Sequence, residues 1–105
     1  MTIELQFFID EHGKHCARGN DKRLANYLET DLQGSTAITA ELIALLKNSE
    51  FSGDFNGNAH CVAFMDNSVL IETMHDDESP DRVLSREVML AHTQAWLEFI
   101  SAPPA

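Results

Sequence analysis

From residue 48 to residue 81 the chain contains no lysine or arginine, yet it carries eight carboxylates there: Glu50, Asp54, Asp66, Glu72, Asp76, Asp77, Glu78 and Asp81. All seven basic side chains lie outside that segment, and a formal charge of −10 is large for 105 residues. A field of this sign repels nucleic acid and anionic membrane alike, which excludes both as direct partners. Cysteine is also scarce. Cys16 and Cys61 stand forty-five residues apart without CxxC spacing, so they are expected to be reduced, partly buried thiols that pack as small hydrophobes. No apolar run approaches the ~20 residues needed to span a bilayer, and no N-terminal apolar run with a basic flank reads as a secretory signal. The expectation is a cytoplasmic protein of one domain over residues 1–105, with 102–105 as a frayed tail.

Catalytic signatures are missing too. There is no GxSxG elbow, no Cys-His nucleophile signature, and no GxGxxG or GxxxxGK phosphate loop, so neither acyl transfer nor nucleotide chemistry is indicated. His12, His15 and Cys16 lie near one turn, and His60 and Cys61 are adjacent, but none has zinc-ligand spacing. His92 falls on an apolar helical stripe and reads as a core or boundary histidine. The run His75-Asp76-Asp77-Glu78 offers hard oxygen ligands without the alternation or mid-loop glycine of a calcium loop. Three consecutive carboxylates point in different directions and read as a charged rim. No metal and no cofactor is therefore expected.

What is present reads as an α+β domain. The hydrophobic fraction of 44% and charged fraction of 23% are those of an ordinary globular chain. Thr2 to Asp10 suggests a strand followed by the turn Glu11-His12-Gly13-Lys14, with a short return over His15 to Arg18. Asn20 or Asp21 caps a helix carrying Leu24, Tyr27, Leu28 and Leu32 and ending at Gly34. Ile38, Leu42, Leu45 and Leu46 mark a second helix closing near Lys47-Asn48. Phe51 to Asn58 is a Gly/Asn/Ser-rich connection. It leads into strands over Asn58 to Asp66 and Ser68 to Met74, joined by an Asp66-Asn67 turn. After a polar acidic loop, Ser85 caps a helix with Val88, Met89, His92, Ala95, Trp96, Phe99 and Ile100 on one face, stopped by Pro103 and Pro104. The predicted architecture is a small antiparallel sheet packed against about three helices, the C-terminal helix covering one face.

The words Tyr27-Leu28-Glu29-Thr30-Asp31-Leu32-Gln33, Phe55-Asn56-Gly57-Asn58-Ala59, Ile71-Glu72, Leu84-Ser85 and Trp96-Leu97-Glu98-Phe99 occur in a familiar order across about two-thirds of the chain. In this order the chain resembles small immunity proteins of bacterial polymorphic-toxin systems, in particular those paired with contact-dependent growth inhibition toxins. The resemblance implies a non-enzymatic cytoplasmic antidote that binds its toxin's C-terminal domain, often a nuclease, one to one. Such families share no universal functional motif, so no binding residue is carried over from it.

Charge reasoning supplies the interface instead. An enzyme that grips RNA or DNA needs a cationic cleft, and an acidic protein complements that cleft. The expected partner-binding residues are Asp54, Asp66, Glu72, Asp76, Asp77, Glu78 and Asp81, with Tyr27, Phe51, Phe55 and Phe64 as aromatic anchor candidates. The partner expected is a basic toxin domain, the antidote itself being a monomer or weak homodimer. Two rivals share the same residues: a metal-dependent hydrolase built on His75-Asp76-Asp77-Glu78, and an acidic adaptor unrelated to toxins.

Overall fold

The computed structural model describes residues 2–73 and 81–102. The chain opens with an antiparallel hairpin of β1 (Leu5–Ile9) and β2 (His15–Gly19). Its turn is held by Asp10, whose Oδ1 accepts the backbone N–H groups of His12 and Lys14, while Gly13 takes the left-handed conformation at φ 79°. Helix α1 (Lys22–Tyr27) starts where the Asp21 side chain accepts the Leu24 N–H, as expected of that cap.

The end of this segment differs from the expectation. Helix α1 runs into a π-helical turn, Leu28–Leu32, and the left-handed residue is Gln33 at φ 51°, not Gly34. A non-glycine pays for that conformation only where tertiary bonds hold it. Here the Trp96 indole N–H donates to the Gln33 carbonyl at 2.9 Å, and Gln33 Nε2 donates to the Thr30 carbonyl.

Helix α2 (Thr36–Lys47) is capped by Ser35 and buries Thr39, Leu42, Ile43 and Leu46. The buried stripe is rotated from the expected one, leaving Ile38 exposed and Leu45 half-buried. Helix α3 (Arg86–Ser101) is capped by Ser85 and buries Arg86, Met89, Thr93, Trp96 and Ile100. That face is narrower than predicted: Val88 and Ala95 are exposed, and His92 is half-buried. The two long helices pack against each other, and α3 also touches the sheet. Phe7 from β1 sits edge-on to Trp96 at 5.0 Å.

A second antiparallel sheet has the order β3 (Gly53–Asn56), β4 (His60–Phe64), β5 (Ser68–Thr73) and β6 (Arg82–Ser85). The two central strands match the predicted hairpin, the first of them trimmed at both ends, and the turn closes through the Met65 N–H donating to the Ser68 carbonyl. Both edge strands escaped prediction: β3 lies in the stretch read as a connection, and β6 ends in Ser85, read only as a helix cap. Short polar edge strands carry little periodicity, and their pairing with β4 and β5 is what makes them strands. The sheet therefore has four strands, and the α+β class stands with two sheets in place of one.

One cation acts as a tie. The buried Arg86 guanidinium donates to the carbonyls of Asn48, Phe51 and Met65, joining the end of α2, the entry to β3 and the β4–β5 turn. No described helix is long and apolar enough to cross a membrane.

Candidate functional site: an open sheet face and an acidic cleft

Strand register sorts the four-stranded sheet into two unlike faces. Phe64, Val62, His60, Val69, Ile71 and Leu84 are buried beneath the helices. The other face carries the cross-strand rows Asp54–Ala63–Leu70–Val83 and Asn56–Cys61–Glu72. None of these seven residues is fully buried, and Val83 is 53% exposed. The middle of the open face is apolar, with Ala63, Leu70 and Val83, and carboxylates flank it.

The expected acidic residues divide by position. Asp54 and Glu72 lie on the open face beside Cys61, whose thiol is pushed up by burial first and then by these two carboxylates. Asp81 precedes β6, and the Ile71–Arg82 pairing puts it next across from Glu72. Asp66 sits apart at the β4–β5 turn, lining a shallow depression with Glu50 over Arg86. Asp76, Asp77 and Glu78, with His75, fall outside the described residues, as do Met74 and Pro103–Pro104.

Cations do not neutralise this face from within. Between described residues, Asp21 pairs with Arg82, while Glu11 and Asp31 lie against the imidazoles of His12 and His60. Arg82 is the only Lys or Arg on β3 to β6, and its Nε donates to Asp21 at 2.8 Å beneath the opposite face. Arg86 is committed to backbone carbonyls. Lys14, Arg18 and Lys22 line a groove between the first hairpin and α1, with Arg18 over the Phe8 ring at 5.1 Å. Asp10 and Glu29 line that groove as well, so its charge is mixed, whereas the described open face carries carboxylates alone.

Beside β3 lies a cleft of about 440 Å³ bounded by Ile38 and Glu41 of α2 and by the β3–β4 turn. Asp31, Glu41 and Asp54 line it, together with Tyr27, Phe55 and the amides Asn56 and Asn58, and none of its lining residues is Lys, Arg or His. Of the four aromatic anchor candidates, Tyr27 and Phe64 are buried in the core, so neither ring serves as an anchor that inserts into a partner. Phe51 packs edge-on against Phe64 at 4.9 Å, and Phe55 is half-buried in the cleft wall.

Behind this cleft is a buried polar chain that no spacing in the sequence announced. Asp31 Oδ1 accepts from His60 Nδ1 at 2.9 Å and from the Thr30 hydroxyl at 2.9 Å. Its Oδ2 accepts the backbone N–H groups of Ala59 and His60. Arg23 Nη1 lies 2.9 Å from His60 Nε2. A guanidinium can only donate, so Nε2 is the acceptor and His60 carries its proton on Nδ1, facing Asp31. Burial by itself would raise the Asp31 carboxyl, but the hydrogen bonds from the His60 ring, Thr30 and the His60 N–H hold it below the usual carboxylate range. Gly57 makes the arrangement possible, since a β-carbon there would collide with the Asp31 carboxylate. Tyr27 stands edge-on to His60, and its buried hydroxyl has no hydrogen-bond partner among the described residues.

His12, His15 and Cys16 do not form a ligand set: His12 is exposed beside Glu11, His15 packs edge-on to Phe99, and Cys16 is buried. Nor do His60 and Cys61, because His60 turns into the core and Cys61 to the open face. Among the described residues no three His, Cys, Asp or Glu side chains converge as metal ligands. Cys16 and Cys61 are both free thiols. No family model matches the chain, and none of the curated proteins or solved structures compared with it is similar enough to count as a match.

Proposed function

We propose that the chain is an antitoxin-like immunity protein that binds and neutralises a cognate basic toxin domain, of nuclease type, through its acidic surface. The observation that carries this reading is the open sheet face, where Asp54, Glu72 and Asp81 surround an apolar centre and the strands contribute no cation. Such a face offers a nucleic-acid-binding enzyme what its substrate offers, negative charge in a fixed array, and adds an apolar patch that substrate lacks. Steering by opposed fields raises the association rate, while desolvation of Ala63, Leu70 and Val83 slows dissociation. No bond is made or broken by the antidote itself.

The test is functional rescue. A toxin domain encoded beside this gene should arrest growth when expressed alone and fail to do so with the chain present. Purified, the two should form a one-to-one complex. In the triple variant Asp54→Asn, Glu72→Gln, Asp81→Asn the association rate should fall by about tenfold at low salt and lose much of its ionic-strength dependence. Rescue and kinetics unaltered by that variant would remove this face from the interface.

A further inference from the structure

We infer that the cleft between α2 and the β3–β4 turn is a receptor for a single arginine side chain projected by the protein's basic partner. Its walls carry the exposed carboxylates Glu41 and Asp54, neither of which has an ion-pair partner among the described residues. Asp31, at the back, already accepts four hydrogen bonds and contributes field in place of a contact.

Acidity alone does not define the occupant; the second observation is Tyr27. It lines the same cleft, is fully buried, and leaves its hydroxyl unpaired. Buried hydroxyls are normally satisfied, and an orphan beside an open cleft marks a place where a ligand supplies the missing partner. A guanidinium fits this set. It is planar, has five N–H donors and no acceptor, and retains its charge when desolvated. Its donors meet Glu41, Asp54 and the Tyr27 oxygen, while Phe55 and the 42% exposed Ile38 receive its apolar stem and flat face. A lysine supplies only three donors from one point and satisfies fewer of these acceptors.

This inference rests on the proposed function for the identity of the partner, but the cleft's preference can be measured without it. The probe is argininamide, titrated into ¹⁵N-labelled full-length protein at constant ionic strength beside norleucine amide as the uncharged control. Argininamide should produce saturable amide shifts confined to Glu41 and residues 56–58, and norleucine amide none. Glu41→Gln and Tyr27→Phe should each weaken binding by about threefold or more, whereas Glu98→Gln, an equal change of charge on exposed α3, should not. Tyr27→Phe removes only an unpaired oxygen from a retained ring, so its fold is not at issue. Shifts spread over all acidic surfaces, shifts absent from the cleft, or equal affinity in the Glu41→Gln and Tyr27→Phe variants would overturn the inference. If a toxin complex forms with wild-type affinity in those two variants, the arginine cleft fails and the immunity reading stands. If the cleft titrates as expected but no toxin is neutralised, the opposite holds.

Discussion

Asp31 Oδ1 and His60 Nδ1 lie 2.9 Å apart across twenty-nine residues of sequence, both in the protein interior. This bond joins the π-helical turn after α1 to the first central strand of the larger sheet. It also fixes the back wall of the acidic cleft. Its properties lead to the first two expectations.

Replacing Asp31 by Asn turns one of its two acceptor oxygens into an N–H donor, which then opposes either the His60 ring N–H or the backbone N–H groups of Ala59 and His60. A loss of about 3 kcal/mol is expected, as for breaking one side of a buried charged network. Gly57→Ala should cost about 1–3 kcal/mol by forcing a methyl against the same carboxylate. Urea denaturation followed by the fluorescence of the single Trp96 measures both.

Acid should act through this group as well. The folded Asp31 pKa lies below its ordinary value, so on acidification the unfolded chain takes up the proton first. Its contribution is therefore complete above about pH 5 and declines as pH falls through about 4 and below. The difference in unfolding free energy between wild type and Asp31→Asn should shrink from pH 7 to pH 3; a constant difference would contradict the assigned hydrogen bonds.

Tyr27→Phe runs against the usual direction of core substitutions. The hydroxyl is buried without a partner, so removing it should stabilise the free protein by about 1 kcal/mol. Thermal unfolding should show a raised midpoint in the same variant that binds argininamide less well.

Arg86→Lys tests the internal tie. One ammonium cannot span carbonyls from residues 48, 51 and 65, which the guanidinium holds together. A destabilisation of about 2–4 kcal/mol is expected from the carbonyls left unsatisfied, with hydrogen exchange accelerating first at the β4–β5 turn and the entry to β3.

Cys61 is a built-in reporter for the open face. Its thiol is held above its ordinary pKa by burial, with Asp54 and Glu72 adding to the shift, so alkylation by iodoacetamide at neutral pH should be slow. The pair Asp54→Asn, Glu72→Gln should speed it by about twofold or more by favouring the thiolate. Partner binding should suppress it, while Cys16, buried on β2, stays unreactive throughout. Mass spectrometry of the labelled chain separates the two sites.

Much of the fold was legible because its signals are local. The caps Asp21 and Ser85, the turn Glu11-His12-Gly13-Lys14 and the Asp66-Asn67 hairpin are local signals, and each does in the structure what its residue type dictates. Helical periodicity located the stripes but not their centre. Whether Ile38 or Ile43 is buried depends on where α3 lies, which the α2 sequence does not contain.

The acidic segment was likewise determined by sequence alone, as were the sign of the surface and the pairing of the central strands. Tertiary structure decided which carboxylates meet. Register gathers Asp54, Glu72 and Asp81 at one face and sends Asp66 to the turn, because a period of two lets a one-residue shift exchange the faces of a strand. The edge strands, the left-handed Gln33 and the Asp31–His60–Arg23 chain depend on partners from elsewhere in the sequence. Their stability comes from contacts that exist only after long loops have closed, so no window of neighbouring residues encodes them.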